Sequence, residues 1–319
     1  MKFLNKIKNS LGEQNIFVAV SRKIVNGFFC LTSLISPSLN TKLRYRYNFG
    51  KAINLKNPNT FIEKCNWYKL NIVNKQEIYR KCSDKYAVRS YLEQTGCKKY
   101  LNDLIAVYDS VDAINWSELP DSFVMKINDG CGYYIICDDK NQLNISESKK
   151  QLKKWWHEHN YLLYSELQNK SEKRRIIVEK YIHGPENLKR PVDYKFYCFN
   201  GTPVAVLVIM DRGADEKVVM MSMDWKPYSK MVKGYTTIDT TGLMPEKPRD
   251  YEEMIECVKK MSSTFPFVRV DLYQSDNGPV FGELTFTCAG AMFTAHTDDL
   301  DLNMAELFKL PINELNLED

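Results

Sequence analysis

Residues 267–287, FVRVDLYQSDNGPVFGELTFT, alternate polar and apolar side chains on both sides of a short polar stretch, Asp276–Gly278. Alternation with a period of two predicts β-strands, and the Asp-Asn-Gly sequence predicts the turn that joins them. Each predicted strand carries a carboxylate near its middle, Asp271 in the first and Glu283 in the second. The stretch therefore predicts an antiparallel hairpin with an acidic centre.

The turn sets which residues of the hairpin face each other. A three-residue loop with Gly278 in the left-handed conformation would pair Ser275 with Pro279. In that register Asp271 lies opposite Glu283, and like charges directly opposite each other destabilise a sheet. The sequence therefore predicts a cation between the two carboxylates, and their hard oxygen atoms favour Mg²⁺ that also bridges to phosphate oxygens.

Side chains alternate across a strand, so the same register divides the hairpin into two faces. One face is predicted to be polar and comprises Arg269, Asp271, Tyr273, Phe281, Glu283, Thr285 and Thr287. The other is predicted to be apolar and comprises Val268, Val270, Leu272, Val280, Leu284 and Phe286. A solvated outer face with an ion pair between Arg269 and Asp271 is the alternative interpretation, and the hairpin alone leaves both open.

The composition is that of a globular protein of two or three subdomains, with 319 residues, 44% hydrophobic and 26% charged. The net charge is +4, and we expect it to be spread along the chain rather than clustered on one face. It therefore gives little support for a nucleic-acid partner. Nine scattered cysteines without a C-x-x-C pair favour reduced thiols in a cytoplasm over disulfides or a zinc site.

The first 45 residues form a basic and apolar arm. Its apolar run, residues 24–35, is too short to span a bilayer. No small-residue cleavage site follows the run, which argues against a signal peptide. Two interpretations remain: a helix packed on the body of the protein, or peripheral contact with the inner face of a membrane through Phe28, Phe29 and the nearby lysines.

The rest of the pattern predicts an α+β fold built from antiparallel hairpins. Residues 60–118 are predicted as helices and connectors, with one helix capped by Thr60 through Glu63 and another running from Ser83 to Gly96. Predicted strands occupy residues 122–127, 133–137, 175–182 and 193–210, the last being a hairpin that turns at Asn200-Gly201. Further helices are predicted at residues 147–168 and 251–262.

A glycine-rich loop, NDGCG at residues 128–132, lies between two predicted strands. A P-loop or a Rossmann turn would lead into a helix, so this loop is instead a candidate flap over phosphates. Lys126 ends a strand whose neighbouring residues are apolar, which indicates a charged partner for its amine. The alternative is a plain turn beside an exposed lysine on an edge strand.

Together these segments resemble the ATP-grasp superfamily, and more narrowly the TupA-like ATP-grasp proteins of surface-polysaccharide gene clusters. The resemblance covers residues 48–304 and rests on the order of FGKAINLKNPNTFIEKCNWYKL, DKYAVRSYL, LPDSFVMKINDGCG, VEKYIHGPE, DYKFYCFNG, FVRVDLY and GELTFTCAG. It implies ATP held between two α+β subdomains. The predicted division is an arm (1–45), a mostly helical domain (46–119), a subdomain with the flap (120–182) and a C-terminal subdomain with the metal site (183–319).

The resemblance also implies roles for individual residues. Those expected at the nucleotide are Lys85, Lys126, Gly130, Gly132, Glu179, Lys180, Tyr181, Ile182, Glu186 and Lys195. The lysines outside the hinge would reach the phosphates, the glycines would form the flap, residues 179–182 the hinge at adenine, and Glu186 would bind the ribose. Arg269 and Lys195 are the expected catalytic residues, and Asp271, Glu283 and Thr285 the expected Mg²⁺ ligands.

Three positions depart from the family pattern. Many members of the superfamily have asparagine where this chain has Thr285, and closer relatives often have histidine and serine where it has Asp129 and Cys131. The activity implied is that of an ADP-forming carboxylate–amine ligase, with a small or glycan-linked carboxylate and an amine as substrates. The alternatives are a glycosyltransferase or another transferase of the same pathway, and a nucleotide-binding subunit without chemistry. The oligomeric state is left open.

Overall fold

The computed structural model describes residues 16–184, 188, 190–210, 216–228, 244–292 and 298–312. The α-helices are α1 (Ile16–Ile35), α2 (Pro37–Phe49), α3 (Phe61–Tyr68), α4 (Glu77–Ser83), α5 (Val88–Gln94), α6 (Ile145–Trp156), α7 (Tyr251–Ser262) and α8 (Asp298–Leu307). The strands are β1 (Leu104–Tyr108), β2 (Phe123–Ile127), β3 (Tyr134–Cys137), β4 (Ile176–Lys180), β5 (Asp193–Phe199), β6 (Thr202–Met210), β7 (Lys217–Ser222), β8 (Phe267–Ser275) and β9 (Gly278–Thr285).

Two antiparallel sheets organise these elements, which confirms the predicted α+β class. The first has the strand order β1-β4-β2-β3 and the second β7-β6-β5-β8-β9. The hairpin β5–β6 turns at Asn200 and Gly201, whose φ angles of 49° and 79° are those that such a two-residue turn requires. β1 was not predicted, because residues 60–118 were expected to hold only helices and connectors.

The register of the β8–β9 hairpin is as predicted at its centre, but for a different reason. The turn contains two residues rather than three, so Ser275 pairs with Gly278 and not with Pro279. A bulge at Gly282 then restores the register, and Asp271 lies opposite Glu283. A side chain at Gly282 would meet the Asp271 carbonyl oxygen at 3.1 Å, which explains the glycine.

The bulge exchanges two residues between the predicted faces. Val280 pairs with Tyr273 and so joins the polar face. Phe281 pairs with Leu272 and is buried in the apolar core, where the sequence pattern had placed Val280.

One helix prediction needs correction. α6 ends at Trp156 rather than at Gln168, and the chain continues through short 3₁₀ turns. The Asp84 carboxylate accepts hydrogen bonds from the backbone amides two and three residues later, as at a helix N-terminus. The first turn therefore starts near Asp84 as predicted, and regular α-helix follows from Val88. The capping box that begins α3 at Thr60 is present as predicted.

The larger apolar core lies between the second sheet and helices α3, α4, α5 and α7, and a smaller one lies under the first sheet against α6. The two cores leave the opposite face of each sheet free for polar groups. Lys195, Asp271 and Glu283 are directly opposite one another on β5, β8 and β9, so their side chains lie together on that face of the second sheet.

The N-terminal helix packs on the body of the protein. Asn40 of α2 donates a hydrogen bond to the Phe29 carbonyl oxygen at 2.7 Å, and Arg44 stacks on the Phe29 ring. Phe29 is 3% exposed and therefore cannot make the membrane contact that was one interpretation of the sequence. Phe28 is 54% exposed. Within the described residues, no helix is long and apolar enough to cross a membrane.

Candidate active site

A cleft of about 400 Å³ lies between the two sheets, and most of the predicted site residues line it. These are Lys85, Lys126, Gly130, Gly132, Lys180, Tyr181, Ile182, Lys195, Asp271 and Glu283. They come from segments nearly 200 residues apart in the sequence. The fold therefore brings the predicted lysines, glycines and carboxylates to one site, while Glu186 lies outside the described residues.

The centre of the second sheet holds a buried network of opposite charges. Asp271 pairs across strands with Lys195, and their side chains are in contact. Arg269 donates to both Asp271 oxygens at 2.7 Å. Asp193 also contacts the Lys195 amine at 3.1 Å. The side chains of Asp271 and Lys195 are 1% and 4% exposed, so the ion pair predicted as an alternative exists but is not on a solvated face.

Glu283 is the more accessible of the two facing carboxylates, with a side chain 44% exposed. Arg269 donates to it at 3.2 Å and the Thr285 hydroxyl at 3.0 Å. Partial burial would raise the pKa of Glu283, but Lys195, Arg269 and Lys85 outweigh that effect and lower it to about 2. Burial raises the pKa of Asp271 despite its two cations. Glu283 is therefore ionised throughout the physiological range.

This depressed pKa leads to a prediction about stability. Because the folded state favours ionised Glu283, the stabilisation is present above the unfolded pKa and is lost as the pH falls toward 2. Since the side chain is partly exposed, we expect Glu283→Gln to lower the free energy of unfolding by only about 1 kcal/mol at neutral pH. Urea denaturation of both proteins across this pH range should show the difference disappear in acid. A difference that is constant with pH would contradict the assigned ionisation.

Lys126 has the charged partner that its sequence context indicated. Its amine donates to the Glu179 carboxylate at 2.7 Å across the β2–β4 pairing, and Arg89 lies 3.7 Å from the other oxygen. β2 is flanked by β3 and β4, so Lys126 is not on an edge strand. The pair fixes the lysine at the wall of the cleft.

The glycine-rich loop is anchored at its base and open at its tip. Gly130 and Gly132 have φ angles of +73° and +79°, and a side chain at Gly130 would meet the Tyr133 ring at 2.6 Å. The Lys85 amine donates to the Gly130 carbonyl oxygen at 2.7 Å. Asp129 pairs with Arg174 at 2.8 Å and does not line the cleft. The acidic residue of the loop therefore faces away from any phosphate in the cleft.

An apolar region lies at the β2–β3 end of the cleft. Val124 and Ile136 are paired neighbours on the sheet face that carries Lys126, and Ile182 follows β4 at the same wall. Tyr181 accepts a hydrogen bond from Arg190 at 3.3 Å. Such an apolar surface suits a flat aromatic ring.

Sequence reasoning missed several residues of this site. They are Asn102, Val124, Ile136, Arg190, Asp193 and Tyr273. Asp193 had a usable signal, since it lies two residues before Lys195 and therefore on the same face of β5. Arg269 contacts both facing carboxylates and Thr285 contacts Glu283, but neither residue lines the cleft. Arg269 can therefore act on the cleft only through Asp271 and Glu283.

The donor set fits Mg²⁺ that is shared with phosphate oxygens rather than held by the protein alone. Within the described residues, no group of three or more His, Cys, Asp or Glu side chains could hold a metal. Glu283 offers an ionised, accessible carboxylate, and Mg²⁺ commonly binds one or two carboxylates plus substrate phosphates. Asp271 already accepts three hydrogen bonds and its side chain is only 1% exposed, so it is less open to a metal ion than Glu283.

The sequence profile of the TupA-like ATP-grasp family matches residues 63–309. The chain belongs to this family. The matched region begins in α3 and ends just after α8, so it includes both sheets and the entire cleft of this ATP-grasp protein.

The solved structures that match this chain include three ligases. D-alanine–D-alanine ligase from Bacillus anthracis, complexed with ATP, has a TM-score of 0.38 and 18% identity over 65% of this chain and 54% of its own. L-amino acid ligase from Bacillus licheniformis has a TM-score of 0.39 and 15% identity over 67% of this chain and 44% of its own.

The ATP-grasp ligase PsnB, complexed with minimal precursor, Mg and ADP, has a TM-score of 0.37 and 11% identity over 77% of this chain and 66% of its own. This chain thus spans about half the length of the first two ligases. A search of curated proteins gave no significant match.

Proposed function

We propose that this protein is an ATP-dependent carboxylate–amine ligase that forms ADP. The observation that carries the proposal is the convergence of Lys85, Lys126 and Lys195 on one cleft with an ionised Glu283. Three lysines with one accessible carboxylate suit a polyphosphate that binds with a divalent cation. The apolar wall at Val124 and Ile136 suits the adenine ring.

The proposed reaction has two steps. A substrate carboxylate attacks the γ-phosphorus of ATP, the bond to the β-phosphate oxygen breaks, and an acyl phosphate and ADP form. An amine then attacks the acyl carbon, phosphate leaves, and the amine loses a proton to give an amide. Bound Mg²⁺ would supply charge neutralisation at the phosphate oxygens.

This chain's own residues would position and stabilise charge. Lys126 and Lys195 line the cleft and would stabilise the negative charge that develops on the transferred phosphoryl group, and no side-chain nucleophile is required. Arg269 holds Asp271 in place through two hydrogen bonds. The open glycine loop would close over the phosphates and exclude water from the acyl phosphate.

For the substrates, we propose a uronic acid or another glycan-linked carboxylate and an amino acid as the amine, in cytoplasmic surface-polysaccharide synthesis such as that of a capsule, O-antigen or teichuronopeptide-like polymer. The support is membership in the TupA-like family. A glycosyltransferase of the same pathway is the alternative. It would consume a nucleotide sugar and ignore ATP.

We expect ATP with Mg²⁺ to stabilise the protein against thermal unfolding. A ligand bound only by the native state adds about 2.7 kcal/mol at a hundredfold excess over its Kd. Lys126→Met should reduce the shift strongly, whereas Lys150→Met on the exposed face of α6 should leave it unchanged. A shift with nucleotide sugars and none with ATP would instead support the glycosyltransferase.

The reaction itself is tested by a product screen with ATP, Mg²⁺ and pooled uronic acids and amino acids. A ligase should release ADP and phosphate in step with amide formation, which mass spectrometry detects. ATP binding without turnover for any pool, including glycan-linked acids, would favour a nucleotide-binding subunit.

A further inference from the structure

The outward face of α1 is apolar although it lies on the surface. From residue 24 to residue 35, every exposed residue is apolar or glycine: Ile24, Gly27, Phe28, Leu31, Leu34 and Ile35. Ile24, Leu31 and Leu34 are 68%, 60% and 68% exposed. These positions recur every three or four residues and thus form one continuous stripe along the helix. Single exposed apolar residues are normal, but a continuous stripe indicates a contact.

The opposite face of α1 is packed, so the stripe has a fixed direction. Ser33 and Ser165 are hydrogen-bonded at 2.8 Å, and Arg44 stacks between the rings of Phe29 and Tyr164. The helix cannot turn its apolar stripe inward without breaking these buried contacts. Leu39, at the start of α2, extends the exposed apolar surface.

The net positive charge of the sequence lies in its first 62 residues and is not spread evenly along the chain. Residues 1–62 contain ten Lys or Arg residues and a single acidic residue, Glu13, whereas the rest of the chain contains 34 basic and 39 acidic residues. No acidic residue occurs between positions 14 and 62. Arg22, Lys23, Lys42 and Arg46 are exposed on α1 and α2.

We propose that the outward face of α1 binds the surface of an anionic phospholipid membrane. An apolar stripe flanked by cations and lacking acidic residues matches a bilayer interface, where apolar side chains enter the acyl boundary and cations meet the headgroups. α1 then lies in the plane of the membrane, with its apolar stripe toward the acyl chains. This inference does not depend on the ligase reaction.

Sedimentation of the full chain with vesicles tests the proposal. The protein should bind vesicles that contain phosphatidylcholine and phosphatidylglycerol. Binding should be weaker to vesicles of phosphatidylcholine alone, and weaker to the mixed vesicles at high salt. The triple variant Ile24→Gln, Leu31→Gln, Leu34→Gln should lower the partition coefficient at least about tenfold. A matched variant, Ile105→Gln, Met244→Gln, Leu307→Gln, removes three exposed apolar side chains elsewhere and should bind as the parent does.

A second pair of variants tests the contribution of the cations to membrane binding. Arg22→Glu with Lys23→Glu should weaken binding at least about tenfold, since each cation near an anionic surface contributes to attachment. Lys259→Glu with Lys260→Glu on α7 changes the net charge equally and should have little effect. Circular dichroism and the thermal unfolding of each variant without ligand check that it is folded.

Three results would overturn the proposal. The first is that the parent does not bind anionic vesicles at low salt. The second is that the α1 variants and their controls lose vesicle binding equally. The third is that light scattering shows a dimer, which only the α1 triple variant converts to a monomer. The last result would assign the apolar face to a second copy of the chain.

Discussion

Replacing Asp271 with asparagine should abolish ATP turnover and also lower the free energy of unfolding by about 3 kcal/mol, the usual cost of breaking a buried ion pair. The carboxylate accepts from Arg269 and Lys195, and its side chain is 1% exposed. An amide offers one acceptor oxygen and turns two N–H donors toward these cations. Each of the two cations then loses one of its two carboxylate partners, because Lys195 keeps only Asp193 and Arg269 keeps only Glu283.

Glu283→Gln should separate the two effects. It should also abolish turnover, but its cost in stability is about 1 kcal/mol because the side chain is partly exposed. Urea denaturation and an ADP-release assay measure both quantities. Asp276→Asn, in the exposed turn of the same hairpin, is the matched control and should change neither.

The sequence alone predicts the opposite sign for the stability of Asp271→Asn, since two facing carboxylates repel each other and their neutralisation should help. The structure changes that expectation, because Lys195 and Arg269 lie on Asp271. Unchanged stability with lost turnover would mean that the repulsion dominates and that the cations contribute little. Turnover near that of the parent in both variants would exclude this hairpin as the catalytic centre.

The hairpin also illustrates what a sequence pattern can and cannot fix. The alternation predicted the strands and the facing of Asp271 and Glu283, and this facing is present. The predicted turn was one residue too long, and the unpredicted bulge at Gly282 compensates for it. A glycine within a strand is the signal for such a bulge, and the alternation rule does not contain it.

The part of the site on the first sheet could be predicted only as a set of residue types, without their contacts. Lys126 was expected to have a charged partner, but its partner Glu179 is 53 residues away and was expected only in the hinge. Which strands lie next to each other decides this pairing, and β1, the strand on the far side of β4, was itself missed. Local periodicity carries no information about that strand order.

A second large effect is expected when Lys195 is replaced with methionine. The Lys195 amine lies between Asp193 and Asp271, at 3.1 Å from the former and in contact with the latter, and all three side chains are buried. Its loss leaves two carboxylates close together with Arg269 as the neighbouring cation. We expect the free energy of unfolding to fall by about 3–5 kcal/mol at neutral pH and turnover to be lost.

The pH dependence identifies the cause. Burial already raises the pKa of Asp271, and removal of Lys195 removes one of the two cations that oppose this shift. A carboxyl group whose folded pKa exceeds its unfolded pKa stabilises the fold at low pH and loses that contribution as the pH rises through the folded value. The difference between Lys195→Met and the parent should therefore be largest near neutral pH and shrink as the pH falls toward the ordinary carboxyl range.

Two further variants make the result specific. Adding Asp193→Asn to Lys195→Met removes one of the crowded carboxylates and should restore part of the stability without restoring turnover. Lys260→Met, on the exposed face of α7, controls for the loss of a lysine and should match the parent. A defect in Lys195→Met that does not vary with pH and is not relieved by Asp193→Asn would mean that lost packing around the lysine stem, rather than uncompensated charge, destabilises this sheet.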